Sequence, residues 1–337
     1  MLNIDNGQRD IYSELLESLV REDHPYRILL KLVNFSELVK PLYSLYSNKG
    51  TNSIPVEKGF KALLLQFAED LSDREMERYL QENNAAKLFC GFGLTVKTPD
   101  HSYFGDLRNR IGVEKLTELF NNVTNQLRQQ NIVSDTFTFV DTSAVVSKVK
   151  LWKERDKAIK EGIEKLNNQN VHEFAQDKEA RFGAKSKKSF WFGFKLAVSV
   201  DMLQGIITKV SVKPANVMDH DMFNDIKPEQ GAVVGDKGFD TNNIRDICKS
   251  DNLHFMVIKK NNRKDKNKDL DKFITKIRSP FENIFPALTS QKNKGGSYKT
   301  HFKGIEKVTF QMMFKAMACN LMRVVRISSF NCYQGVS

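Results

Sequence analysis

The strongest constraint on the fold is a change of hydrophobic period near residue 135. Upstream, apolar residues recur at helical spacing: Ile11, Leu15, Leu16, Leu19 and Val20, then Phe60, Leu63, Leu64 and Phe67, then Val113, Leu116, Leu119, Phe120 and Val123. Nothing in residues 1–134 alternates as a strand does, so this part is expected to be an all-helical domain. Ser72-Asp73-Arg74-Glu75 has the capping-box form, in which Ser and Glu satisfy orphan amides at a helix start. Thr98-Pro99-Asp100 opens a further helix. Its basic companions Lys97, Arg108 and Arg110 fit either a helix-turn-helix DNA reader or the solvated face of an ordinary helical domain.

Downstream the period becomes that of strands. Thr136–Val140 is β-branched and aromatic and runs into Asp141-Thr142-Ser143, which reads as a strand ending in an acid and a turn. Residues 151–180 form a charged helical excursion. Phe190–Val200 and Ile206–Val212 make a hairpin across Asp201–Gly205, and Gly231–Gly235 makes a strand that ends in a second acid, Asp236. A helix at 242–250, a strand at His254–Ile258 and a closing helix at Val308–Val325 complete a mixed α/β sheet flanked by helices, expected over residues 135–327 with a tail at 328–337.

Charge narrows the class of partner. Lys and Arg number 52 against 41 Asp and Glu, a net charge of +11 that favours a polyanion, with nucleic acid the first candidate. The basic, Asn-rich loop 259–268 is read as a phosphate-contacting segment. No apolar run approaches the roughly 20 residues that cross a bilayer, and the first residues lack the order of a signal peptide, so a cytoplasmic, nucleoid-associated protein is expected. The four cysteines are scattered, which supports neither a zinc ribbon nor a disulfide scaffold. His172-Glu173-Phe174-Ala175-Gln176 has Gln where a zincin needs its second His.

Three carboxylates stand where elements end: Asp141, Asp236, and Glu282 in Arg278-Ser279-Pro280-Phe281-Glu282. Taken singly each has a plain structural reading. Asp141 and Asp236 lie in turn-forming sequences, and Ser279 to Glu282 fits a capping box with Pro at the first helical position. Asp219-His220-Asp221 reads as a helix start, and Trp191 as a packed hairpin residue rather than a base-stacking one. Taken together, two strand tips and a helix packed on the sheet can bring three oxygen donors to a pair of divalent ions, which clamp the attacking and leaving oxygens of a phosphodiester. Without cations such a trio repels itself.

Val140-Asp141-Thr142-Ser143, Trp191–Leu196, Pro214–Asp219, Gly235-Asp236-Lys237-Gly238-Phe239 and Arg278–Glu282 occur in the order found in bacterial insertion-sequence DDE transposases. Within those the chain most resembles the insertion-sequence-five type; Thr98–Phe104, Gly304–Val308 and Asn320-Leu321 extend the likeness over almost the whole chain. The resemblance implies an RNase H-like catalytic domain and carries the DDE roles onto Asp141, Asp236 and Glu282, with two Mg²⁺ or Mn²⁺ ions. It also places Arg278 in the family's Tyr-x₂-Arg-x₃-Glu-x₆-Lys signature. Thr275 and Thr289 stand where that signature has Tyr and Lys, leaving Lys292 or Lys294 as substitutes, and Pro286 is expected to bend the helix just past Glu282.

The function so implied is metal-dependent cleavage and strand transfer at the terminal inverted repeats of the chain's own mobile element. Lys237, Lys259, Lys260, Arg263, Lys264 and Lys266 would neutralise double-stranded DNA, and joining two ends requires a homodimer or larger synaptic complex. The rival readings are a metal-dependent nuclease without strand transfer and a DNA-binding protein of the same fold impaired in catalysis.

Overall fold

A computed structural model describes residues 1–4, 11–47, 49–186, 189–289 and 298–334. Packing divides the chain into two units, residues 1–123 with the chain from 313 onward, and residues 124–312. The sequence reading places this boundary at 134/135 and keeps the closing helix with the second part. Instead, within the first unit, Phe314 stacks on Phe67 at 5.2 Å and packs on Phe60 at 5.5 Å, and buried Lys315 pairs with Asp70 at 2.5 Å. The helix Ile305–Gln334 therefore spans the boundary between the two units in sequence.

Among the described residues of the first unit helices are the only regular elements, with Val56–Ala68 buried along most of its length. The capping box forms at Ser72 and Glu75. Arg108 lies in a fork with Asp73, both nitrogens 2.7 Å from the carboxylate oxygens, and the Arg110 guanidinium lies 4.7 Å from the Tyr46 ring centre. Two of the three basic residues considered for DNA reading are thus committed to contacts within the unit.

The second unit is built on one sheet: β1 (Phe137–Val146), β2 (Arg181–Ser186), β3 (Ser189–Asp201), β4 (Ile206–Pro214), β5 (Ala232–Gly235), β6 (His254–Val257) and β7 (Tyr298–Lys299). Its main path runs β4-β3-β1-β5-β6, with β3 antiparallel to β4 and β1, and β5 parallel to β1 and β6. β2 pairs with the start of β3, and β7 with the end of β1. The expected hairpin is β3-β4. Trp191 is packed within β2-β3: its indole N–H donates to the Phe194 carbonyl at 3.0 Å, and its ring occupies the space a side chain at Gly183 would need. Gly193 permits close approach to β1, since at φ +155° a Cβ there would lie 2.2 Å from the Val145 carbonyl oxygen.

Successive side chains of β1 face opposite ways. Val140 joins a core that includes Met222, Phe223, Phe239, Ile244 and Val257, whereas the alternate face carries Phe139 and Asp141. Asp141 was expected at the strand tip, but β1 continues to Val146. The reason is that Asp141, Thr142 and Ser143 pair with Val198, Ala197 and Leu196 of β3 instead of turning.

One carboxylate outside the site anchors this sheet. Fully buried Asp201 accepts hydrogen bonds from the Ser134 amide and hydroxyl, the Asp135 amide and the Leu203 amide, all between 2.9 and 3.0 Å. It joins the entry of β1 to the β3-β4 turn. Replacing Asp201 by Ala leaves these donors without their acceptor and is expected to cost about 3 kcal/mol, read as a lowered urea midpoint with unchanged slope; Asp201→Asn, which keeps one acceptor oxygen, should cost less.

Candidate active site

Parallel pairing between β1 and β5 ends at Val140 opposite Gly235, and the next residue on each strand is an acid, Asp141 and Asp236. β7 joins the same side of β1 only at Val145. Among the described residues no strand pairs with 141–144 of β1 on that side, so the sheet opens there. This opening at the carboxyl end of a parallel strand pair is where open α/β sheets hold ligands.

The third acid comes from beyond the sheet. The helix Lys268–Arg278 packs on β5 and β6 and gives way to a 3₁₀ turn, Ser279–Phe281, ahead of Glu282. The Phe281 ring packs 6.2 Å from that of Phe139, which shares its face of β1 with Asp141. The capping box expected at Ser279 and Glu282 does not form. Ser279 is not an N-cap, and the Glu282 carboxylate is taken by Arg278, whose Nη2 donates to Oε1 at 2.8 Å. The next helix, Ile284–Thr289, starts after Glu282 and holds Pro286 in its first turn, so the break lies at Glu282 and Asn283.

Arg278 is the hub. Its side chain is largely buried, its Nη1 lies 3.7 Å from Asp236, and Nε and Nη1 have no hydrogen-bond partner among the described residues. Asp236 is also held by the Lys237 amide at 2.6 Å, and Asp141 by the Thr142 amide at 2.7 Å. Burial pushes the Asp141 carboxyl up to about 6, against the lowering by the Thr142 amide and Arg278, and Asp236 and Asp219 add to the rise.

Asp219 is a member of the site that sequence reasoning assigned to a helix start. A short 3₁₀ turn does begin there, but its cap is Met218 and uses no side chain. Asp219 instead accepts from the Thr142 hydroxyl at 3.0 Å and from the Lys195 ammonium at 2.7 Å, and Lys195 also donates to the Val217 carbonyl at 2.5 Å. A side chain at Gly238, two residues after Asp236, would lie 3.0 Å from an Asp219 oxygen. Lys195 and Asp219 both stand inside motifs quoted above, Trp191–Leu196 and Pro214–Asp219; their order along the chain was the available signal.

The loop after β6 is tied down by its own charges. Fully buried Asp240 accepts from the Lys260 amide at 2.8 Å, from Arg245 at 2.7 Å and from Arg263 at 3.2 Å. Burial alone would raise its pKa, but these donors outweigh it and hold the carboxyl below the usual range. Lys259 pairs with Asp265 at 2.5 Å and Lys266 with Asp271 at 3.2 Å. Of the basic residues expected to meet DNA, Lys237 and Lys264 are exposed, whereas Lys292 and Lys294 lie outside the described residues.

A model of the transposase domain of the DUF772 type matches residues 14–110, and a model of the transposase DDE domain matches residues 166–321. The chain belongs to the DDE transposases. The mixed sheet of the second unit is accordingly RNase H-like, and the helices within residues 14–110 of the first unit belong to the transposase's N-terminal region. Asp236, Arg278 and Glu282 fall inside the matched DDE segment, and Asp141 lies upstream of it. Both models match at the level of the transposase domain, so the insertion-sequence-five type rests on the motifs alone. No curated protein matches the chain. A solved piggyBac transposase synaptic complex with hairpin DNA is similar at a TM-score of 0.37 and 10% identity, over 97% of this chain and 78% of that one.

Transposases of this family use divalent cations. Among the described residues, no three His, Cys, Asp or Glu side chains stand close enough to hold one metal ion. The donor chemistry fits in part: Asp141 and Asp236 supply adjacent hard oxygens, while Glu282 is engaged by Arg278. Among the described residues no helix is long and apolar enough to cross a membrane.

The raised Asp141 carboxyl has a measurable consequence in the cation-free transposase. The folded chain holds this proton more tightly than the unfolded chain, so stability is lost as pH rises from 3.8 to about 6. Asp141→Asn should therefore unfold later than the parent at pH 8 in EDTA, by on the order of 2 kcal/mol, with the gain fading towards pH 4. Urea unfolding across that range checks both sign and window.

Proposed function

We propose that this transposase binds the terminal inverted repeats of its own element and cuts and rejoins DNA at Asp141, Asp236 and Glu282. The observation that carries the reading is the pairing of β1 with β5, which ends where the two acids stand side by side, together with one guanidinium that contacts both Asp236 and Glu282.

Two Mg²⁺ or Mn²⁺ ions bound there would supply activation of the attacking oxygen and neutralisation of the leaving one. Asp141 and Asp236 would hold them, and Glu282 would join once Arg278 exchanges it for a substrate phosphate. Arg278 is suited to that exchange because its buried Nε and Nη1 lack hydrogen-bond partners among the described residues, while a phosphate offers oxygens in the spacing of its fork. Asp219, held by Lys195 and Thr142, keeps the part of β1 carrying Asp141 in register with the Gly238 turn. Water would hydrolyse the phosphodiester at the element end to leave a 3′-hydroxyl, and that hydroxyl would attack a target phosphodiester in line, forming a new P–O bond as the target's own 3′-oxygen leaves and takes up the proton. The chain works as a homodimer or larger assembly, because two ends must be joined. Exposed Lys237 and Lys264 contact the DNA backbone.

The test is an incubation with labelled end DNA, a target plasmid and Mg²⁺. The parent should give cleaved ends and joined product, while Asp141→Asn and Asp236→Asn should each lose at least on the order of a thousandfold of both. Cleaved ends without joined product would make the protein a nuclease. Bound DNA with no product even from the parent would leave only a binding protein of the same fold.

A further inference from the structure

We infer that a lysine-lined groove on the helix Lys268–Arg278 is a track for the DNA backbone, gripping phosphates without regard to sequence on the approach to Glu282. The inference rests on the proposed function for the identity of its ligand. The groove has a volume of about 830 Å³ and is lined by Lys266, Lys268, Lys272 and Lys276, with Asp271 its only acid among the described residues. Lys266 is spent on Asp271 and on the carbonyl of Lys259. Lys268, Lys272 and Lys276 are exposed and stand four residues apart on one helix.

Four residues of helix rise about 6 Å, so the three ammonium groups form a row whose step is comparable to that between successive phosphates of one strand. Lys272 approaches Asp269 at 3.5 Å, but both side chains are almost wholly solvent-exposed, and such a pair gives way readily to a phosphate. Thr275, which replaces the signature Tyr, also lines the groove and leaves it unfilled by an aromatic ring. At its far end the groove is bounded by Ser279, Pro280 and Asn283, the residues surrounding Phe281 and Glu282. A strand lying along the lysines is thereby led to the turn that carries the third acid.

Competing geometry favours a flexible polyanion over a small ligand. Except for Asp271 the charged lining is cationic, and it runs in a row rather than converging on one point. A row of point charges without convergent hydrogen-bond acceptors reads backbone charge, not base identity.

The experiment compares the full-length parent with Lys268→Ala/Lys272→Ala/Lys276→Ala in binding a fluorescent duplex from the DNA flanking the reading frame and a scrambled duplex, across a KCl series. Each lost phosphate contact lowers the slope of log affinity against log salt by about 0.9, so the triple variant should lose about 2 to 3 in slope on both duplexes. The charge-preserving Lys268→Arg/Lys272→Arg/Lys276→Arg variant should retain the parental slope. So should Lys160→Ala/Lys165→Ala/Lys178→Ala, which removes the same charge from exposed positions elsewhere in the unit. An unchanged slope in the groove variant, with the parent binding steeply, overturns the track and leaves the proposed function standing. A parent that binds neither duplex overturns the proposed function and the track with it.

Discussion

The pairing of β1 with β5 stops one residue short of two carboxylates, and the chemistry of the second unit depends on that ending. Neighbouring strands lie about 4.8 Å apart, so the acids that follow a shared register position are brought together by backbone hydrogen bonds and not by any attraction of their own. Their repulsion adds to burial in raising the proton affinity of Asp141. The sheet can bear this strain because β1 is held on its other side along its whole length by β3, and at its entry by the buried Asp201.

Arg278 answers the same repulsion from the other direction. A guanidinium against Asp236 and Glu282 offsets part of their negative charge. It also explains why Glu282 is not gathered into a cation-holding trio. A carboxylate in a bond of 2.8 Å to arginine has its negative charge already engaged, and a dication must compete for it. In the proposed reaction the arginine and the cations would be alternatives for one role, charge compensation.

The parts of this arrangement that were legible in the sequence are those with a local signature. Helical period marked the first unit, alternation and β-branching marked β1, the β3-β4 hairpin and β5, and the acids following β-type runs marked Asp141 and Asp236. What escaped was decided by partners remote in sequence. Asp141-Thr142-Ser143 has turn-forming composition, yet the ladder to Val198, Ala197 and Leu196 overrides it. Ser279 to Glu282 satisfies every local rule for a capping box, yet Arg278 supplies a stronger, charged donor for Glu282. The Lys-rich loop after β6 reads as free positive charge, but Asp240, almost twenty residues upstream of it, is buried and draws in Arg263 and the Lys260 amide. The closing helix is buried on all sides from Phe310 to Ala318, and it takes the rings of Phe60 and Phe67 with the carboxylate of Asp70 to reveal that Phe314 and Lys315 belong with the first unit.

The same contrast explains the distribution of positive charge around the site. A buried acid such as Asp240 needs donors at short range, and the loop nearest to it supplies them at the expense of contact with solvent or substrate. On the helix Lys268–Arg278 the acids at Asp269 and Asp271 are outnumbered, and Asp271 is already met by Lys266 and the Lys259 amide. The lysines at 268, 272 and 276 therefore have no buried carboxylate to satisfy. Net charge alone does not separate these two populations, since both are lysine-rich segments a few residues apart. Burial of the opposing acid separates them, and for that reason the helix, with Lys264 alone from the loop, presents the site's approach to a polyanion.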